Sequence, residues 1–276
     1  MTKAVFRLKK RGGEAEMAVI IALINQKGGV GKTTSAVNIS AGLGFFGKRT
    51  LLCDIDPQGN ATSGVGVNKK DAAFSIYDVL SGSADMNDAV IHTKYKNLDV
   101  VPSNINLAGA EIELAERENR ECILRKSLWQ IYDKYDYIII DCPPSLGMLT
   151  LNALAASDRV IVPMQCEYYA LEGLSQLVFT IKQVKRLYNP QLTLDGVILT
   201  MYDGRLNLSI QVMEEIKKYF PDKVYKNAVP RNVRLSEAPS HGMPIIYYDK
   251  YSKGSLAYLE IAKEIISKSP AEASNN

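Results

Sequence analysis

The segment "INQKGGVGKTT" (24–34) follows the apolar run "AVIIALINQ" (18–26) and leads into "KTTSAVNISAGLGFFG" (32–47), a helical pattern. An apolar strand, a glycine-rich turn and a helix form the setting of a phosphate-binding loop, G-x-x-x-x-G-K-[ST]. Gly31, Lys32 and Thr33 fall where that pattern requires them. Gln26 stands in place of the first glycine, and a second lysine, Lys27, follows it. Glycines let backbone N–H groups turn toward a phosphate without a side chain in the way. The start of the helix adds the positive end of its dipole. The stretch Gly28, Gly29, Val30, Gly31 would cradle the phosphates, with Lys32 on the β/γ phosphates. The Thr33 hydroxyl would sit on Mg²⁺ and Thr34 on the α-phosphate. One lysine suffices for that task, so Lys27 needs another role.

Outward from the loop, further apolar runs end in polar or glycine-rich turns. They are "TLLCDIDP" (50–57), "LDVVPS" (98–103), "YDYIIIDCPPS" (135–145), "RVIVPMQ" (159–165) and "LDGVILTMYD" (194–203). Such continuous runs mark strands buried on both faces of a parallel sheet. Helical patterns lie between most of them. Leu174, Leu177, Val178, Ile181, Val184 and Tyr188 share one helix face, with Lys182, Lys185 and Arg186 on the other. Strands alternating with helices predict a single α/β domain, a doubly wound, mostly parallel sheet flanked by helices, of P-loop NTPase type.

The run at 135–145 ends in Asp141, where a Walker B carboxylate would hold the Mg²⁺ shell. Asp54 and Asp56 end another run, and alternation along a strand predicts that both face one side. All parallel strands end at the same edge of the sheet, beside the loop. Either of Asp54 and Asp56 alone could be a turn residue. Three carboxylates at one edge imply a cation and a water to be positioned.

The whole chain of 276 residues is 46% hydrophobic and 23% charged, with a formal charge of +3. That charge is too mild to indicate a nucleic-acid binder by itself, so any basic surface must be local. Residues 1–16 hold five basic and two acidic residues and lack the apolar core of a secretory signal. They are expected to form a flexible basic extension, with the domain at 17–268 and a disordered tail at 269–276. Cys53, Cys122, Cys142 and Cys166 form no C-x-x-C pair and His92 and His241 are the only histidines, which speaks against zinc; three of the four cysteines lie in or beside apolar runs, as buried thiols in a reducing cytoplasm would.

"KGGVGKTT" resembles the deviant Walker A motif of the ParA/MinD group of P-loop ATPases. "DIDPQGNATSG", "VPSNINLAGAEIEL", "DCPPSLGMLTLNAL", "QCEYYALEGL", "TMYDGRLNLS" and "VPRNVRLSEAPSHGMPII" resemble the ParA/Soj chromosome-partitioning branch, from about Val19 to Leu259. The resemblance implies a slow, Mg-dependent ATP hydrolase with ATP and Mg²⁺ as cofactors. Two ATP-bound subunits would face each other as a homodimer, with Lys27 reaching the partner's phosphates. Catalysis then falls to Lys27, Lys32 and Asp56, with Asp56 orienting the attacking water. Metal contacts fall to Thr33, Asp54 and Asp141, Asp54 also supporting the switch region. Pro230 and Asn232 would touch adenine, and Glu111 would lie near the dimer-facing contacts.

Arg205 and Arg234 match arginines with which relatives bind double-stranded DNA without sequence preference. Arg231, Lys250 and Lys253 are further candidates. From 231 to 254 four cations face two acids, a local excess of +2; Lys250 and Lys253 also read as a plain solvated face. The implied partner is a ParB-like centromere-binding protein that stimulates hydrolysis, and the implied location is cytoplasmic and nucleoid-associated. The alternative is a MinD-like, membrane-associated division-site regulator. "SLAYLEIAKEIISKSPAEASNN" (255–276) has an apolar stripe at Leu256, Leu259, Ala262, Ile265 and Ile266 but few cations and no terminal aromatic, which reads as a helix packed on the sheet, without stable membrane association. A redox ATPase like the nitrogenase iron protein needs paired interface cysteines, a pattern that Cys122 and Cys142 do not match.

Overall fold

A computed structural model describes residues 17–167 and 170–269. The basic extension at 1–16 and residues 270–276 of the expected tail lie outside the described residues. Each of the six apolar runs contains one strand: β1 Val19–Leu23, β2 Thr50–Asp54, β4 Leu98–Val101, β5 Tyr137–Asp141, β6 Arg159–Gln165 and β7 Thr193–Thr200. A seventh, β3 (Ile91–His92), pairs antiparallel with β4 at one edge. The sheet order is β3-β4-β2-β5-β1-β6-β7, and all other pairings are parallel.

The helices cover both faces, as buried parallel strands require. One layer holds α1 (Lys32–Phe45), α11 (Ile245–Tyr248) and α12 (Lys253–Ser267). The other holds α3 (Ile76–Ser81), α4 (Met86–Ala89), α5 (Leu107–Ala115), α6 (Ile123–Leu128), α7 (Met148–Ala156), α8 (Ala170–Leu187) and α9 (Asn207–Tyr219). The short α2 (Asn60–Gly64) follows β2, and α10 (Val233–Glu237) follows the segment beside β7. Leu174, Leu177, Ile181 and Val184 of α8 are buried, on the face that the 3.6-residue spacing predicts.

The register decides which side chains meet at the strand ends. Leu52 and Ile139 pack in the α1 layer, whereas Cys53 and Ile140 pack in the opposite one. Asp54 and Asp141 stand two residues beyond Leu52 and Ile139, so alternation aims both at the α1 side. They are direct partners in the β2–β5 register. The C-terminal helix α12 is capped by Ser252, whose hydroxyl accepts from the Ser255 amide. It buries Tyr258, Ile261, Ala262, Ile265 and Ile266, and Tyr258 shares a 3.0 Å hydroxyl hydrogen bond with Ser35 of α1. Leu256, expected in the apolar stripe, is instead 51% exposed; the buried face is rotated toward Tyr258 and Ile261. Ser269, the first residue of the expected tail, is buried and its hydroxyl lies 2.8 Å from that of Tyr137.

Candidate nucleotide site and basic face

Between β1 and α1 the chain makes its turn through Gly31, whose φ of 84° is the left-handed conformation that only glycine adopts without strain. Gly31 is also the N-cap of α1, so no side chain caps the helix, and its first turn carries no acid. Its free N–H groups and positive dipole end therefore point at the loop, which suits an anion. Lys32 is only 6% exposed, and its ammonium donates to the Lys27 carbonyl at 3.0 Å. Burial pushes its proton affinity down, opposed first by the charge of Asp141.

The loop is stitched to the segment running from β6 into α8. The Asn25 side chain donates to the Pro163 carbonyl at 2.8 Å, and Gln26 donates to Gln176 at 2.9 Å. Gln165 donates to the Gly29 carbonyl at 2.8 Å, and Thr200 to that of Val30. Gln26, the departure from the common loop pattern, thus ties the loop to α8. Lys27 carries its ammonium to a different partner from that of Lys32. Its side chain is 55% exposed and forms an ion pair with Glu167, ahead of α8. A cavity of about 280 Å³ lies alongside, with Gln26, Lys27, Glu167, Gly173 and Gln176 in its wall.

Asp141 is fully buried, and neither of its carboxylate oxygens has a hydrogen-bond partner among the described residues. Burial, then the negative charge of Asp54, push its carboxyl well above the usual range; Thr33 lies near enough to ease this, without a regular hydrogen bond. A buried carboxylate with no donor is costly unless a cation or proton meets it, so Asp141 and Thr33 fit a magnesium site. No group of three or more His, Cys, Asp or Glu side chains converges to hold a metal among the described residues. A cation here would be shared with a bound phosphate, as oxygen-seeking Mg²⁺ is.

Asp54 differs from Asp141 despite their pairing. One of its oxygens accepts from the amide and the hydroxyl of Thr62, at 2.8 and 2.7 Å; the other accepts from the Asp56 amide at 3.2 Å. Burial raises its carboxyl to about 6, with the Thr62 bonds pulling the other way. Three protein donors make it a brace for the following loop, with fewer lone pairs left for a cation than Asp141 has. The charge of Asp56 is felt by Asp54, Asp141 and Lys32 alike, so it lies with them, although strand alternation is not what places it. Strand β2 stops at Asp54, and Asp56 is placed by the turn, its own carboxylate accepting from the Gln58 amide at 2.9 Å. Asp56 is 7% exposed.

Pro230 lies at the same edge of the sheet, where it bridges to Tyr202 beyond β7. Asn232 caps α10, its side-chain oxygen accepting from the Arg234 amide. Glu111, on α5, presses against Gly147 in the loop after β5, with one buried oxygen unpartnered. Arg205, Arg231, Arg234, Lys250 and Lys253 are all exposed. The Tyr202–Pro230 bridge brings the Arg205 turn beside Arg231, and Arg234 reaches Asp249, next to Lys250, at 3.6 Å. Arg205 also lies on the Asp203 carboxylate with two contacts of 2.9 and 2.7 Å, and Arg234 lies on Glu237 at 2.8 Å. Lys250 stands over the rings of Phe45 and Tyr251.

Sequence reasoning missed Thr62, Ser103 and Glu167. All three sit in motifs already quoted, Thr62 in "DIDPQGNATSG", Ser103 in "VPSNINLAGAEIEL" and Glu167 in "QCEYYALEGL", but their partners are set by tertiary contacts.

Residues 18–194 match the AAA domain family model AAA_31. The sporulation initiation inhibitor protein Soj of Bacillus subtilis is 60% identical over 249 residues, 90% of this chain and 98% of that protein. The chromosome partitioning protein ParA of Myxococcus xanthus is 52% identical, over 93% of this chain and 90% of its own. Among solved structures, the cobyrinic acid a,c-diamide synthase of Mycobacterium smegmatis with bound ADP and magnesium superposes with a TM-score of 0.80 at 38% identity, covering 91% of this chain and 95% of that one. With a family model over most of its length and such relatives over nine-tenths of it, the chain belongs to the ParA/Soj family of chromosome-partitioning P-loop ATPases.

Proposed function

We propose that this chain hydrolyses ATP as a homodimer that binds DNA without sequence preference, and that hydrolysis, stimulated by a ParB-like partner, releases it. The observation that carries the nucleotide reading is the buried carboxylate of Asp141, without a hydrogen bond, beside an uncapped helix start and the buried ammonium of Lys32. Gly28, Gly29, Val30, Gly31 and Thr34 line the phosphates, and Pro230 and Asn232 take the adenine side. Thr33 and Asp141 would hold magnesium, which when bound neutralises phosphate charge. Asp56 holds the attacking water, and Asp54 holds the loop that carries Asp56. No histidine is needed, since phosphoryl transfer depends mainly on positioning and charge.

The exposure of Lys27 supports the dimer. A half-exposed cation beside its own loop is available to meet a second copy's phosphates, as an arginine finger is. ATP then becomes part of the interface, and its hydrolysis dissolves the dimer. The membrane-associated alternative draws no support from α12, whose apolar residues are mostly spent on α1 and the sheet. No helix among the described residues is long and apolar enough to cross a membrane. DNA binding measured with ATP, with ADP and without nucleotide tests the reading. Binding of unrelated duplexes only with ATP is expected, and its loss in Lys27→Ala, with nucleotide affinity kept. Equal binding in all three states would sink it.

A further inference from the structure

Among the described residues the Thr62 side chain hydrogen-bonds only Asp54 and Ser103, and it is fully buried at the centre of a hydrogen-bonded chain. Its hydroxyl accepts from the Ser103 amide at 3.0 Å and donates to an Asp54 oxygen at 2.7 Å. The direction is forced, because an amide can only donate and a hydroxyl has one proton to give. Its own amide bonds the same Asp54 oxygen at 2.8 Å. The second Asp54 oxygen receives the Asp56 amide. The loop rests on Ser103 at another point: Gly59, at φ 61°, packs so closely on the Ser103 carbonyl that a Cβ there would stand 2.7 Å from it. Ser103 thus anchors both Gly59 and Thr62, three residues apart, with Asp56 just ahead of them.

We propose that Thr62 is a positioning residue for ATP hydrolysis, setting Asp56 through Asp54. The inference rests on the reading of Asp56 as the residue that orients water. Asp54 can turn about its side-chain bonds, and the Thr62 hydroxyl together with its amide fixes that turn. The angle of Asp54 then fixes the Asp56 backbone, on which the Asp56 carboxylate depends. A displacement of about 1 Å in such a group costs roughly 10²-fold in rate. Because the Thr62 hydroxyl bonds Asp54 and Ser103 and none of the groups assigned to the phosphates, it governs turnover and leaves nucleotide affinity alone. The same bond joins the catalytic loop to Ser103 and the segment leading into α5, which exposes Ile105 and Ile112.

The test uses the full chain with saturating ATP and Mg²⁺. Thr62→Val keeps the shape and removes the hydroxyl; Thr62→Ser restores it. We expect kcat to fall at least tenfold in Thr62→Val, roughly what losing a buried hydrogen bond to a charged group does, with KM and ADP affinity within about twofold. Thr62→Ser should recover most of the rate. Should Thr62→Val fail to fold, Thr62→Ala, which adds no bulk, takes its place with the same expectation. An unchanged kcat, a loss confined to KM, or no rescue by serine overturns the proposal. Asp56→Ala separates this inference from the reading beneath it. If that variant still hydrolyses ATP, the role of Asp56 falls; if it does not and Thr62→Val turns over normally, only the role of Thr62 falls.

Discussion

At the carboxyl ends of the strands, Lys32, Asp54, Asp56 and Asp141 are all less than a tenth exposed. Along the face from Arg205 to Lys253, every candidate cation is exposed, and Arg205 and Arg234 already rest on carboxylates. The two regions treat charge in opposite ways. Water cannot screen the buried group, so its imbalance persists until a ligand removes it. On the outer face, water and neighbouring acids have already met each charge, and what remains is modest and salt-dependent. Substitutions at the buried end should therefore act in large, nearly all-or-none steps, and those on the face by increments.

The largest effect is expected at Lys32. Lys32→Ala removes a buried cation from beside Asp141, and should raise the ATP dissociation constant by roughly 10²–10³-fold, as truncating one member of a buried charge pair does. Equilibrium binding of a fluorescent ATP analogue reads this directly; a change under fivefold would break the contrast between the regions. Asp56→Ala should slow hydrolysis by about 10²-fold with ATP affinity kept. Size-exclusion chromatography with ATP and Mg²⁺ should then show a persistent dimer, and a variant monomeric under saturating ATP counts against this.

Acidity sharpens the comparison next. Burial raises the Asp54 carboxyl to about 6 and Asp141 well above its usual range. In the unfolded chain both titrate near about 4. Between those values the folded protein holds more protons than the unfolded one, so stability falls as pH rises through the window. Without nucleotide and magnesium, the melting temperature should drop from about pH 4 toward and beyond about pH 6, with other groups superimposed. Each tenfold difference in proton affinity is worth ~1.4 kcal/mol. Asp141→Asn should flatten that fall, and an unchanged pH profile would mean the two carboxyls are not the cause.

The smallest effects belong to the face. Arg205→Ala and Arg234→Ala should weaken all duplexes alike and reduce the slope of log affinity against log salt by about two for a symmetric dimer. Asp203→Asn sharpens the point: it releases Arg205 and should strengthen binding. If these arginines serve only their ion pairs, the melting temperature moves and the salt slope does not.

Much of this was legible in the amino-acid sequence. Six strands announce themselves because a strand buried on both faces must be apolar throughout. Strand β3 escapes because two residues, one exposed, have no period to read. The loop and Asp141 are legible because a motif in its strand–turn–helix setting names its own chemistry. What the sequence hides is register and distance. The pairing of Asp54 with Asp141, or of Lys27 with Glu167 across 140 positions, depends on how the elements dock. The C-terminal helix was legible as a packed helix, but its buried face turned away from Leu256, since α1 offered Ser35 to Tyr258.

The pair between Lys27 and Glu167 has a consequence for timing. Both side chains are about half exposed, and an ion pair of that kind is worth ~0–1 kcal/mol. At the upper figure the ammonium is held about five times as often as it is loose. The loose form, the one that could reach a second copy, thus makes up at least about a sixth of the molecules. A minority state of that size reduces apparent affinity by no more than about sixfold. In the proposed dimer, Lys27 would change partners without waiting for a rare event, and rising salt would favour its release even as it loosens the grip on DNA.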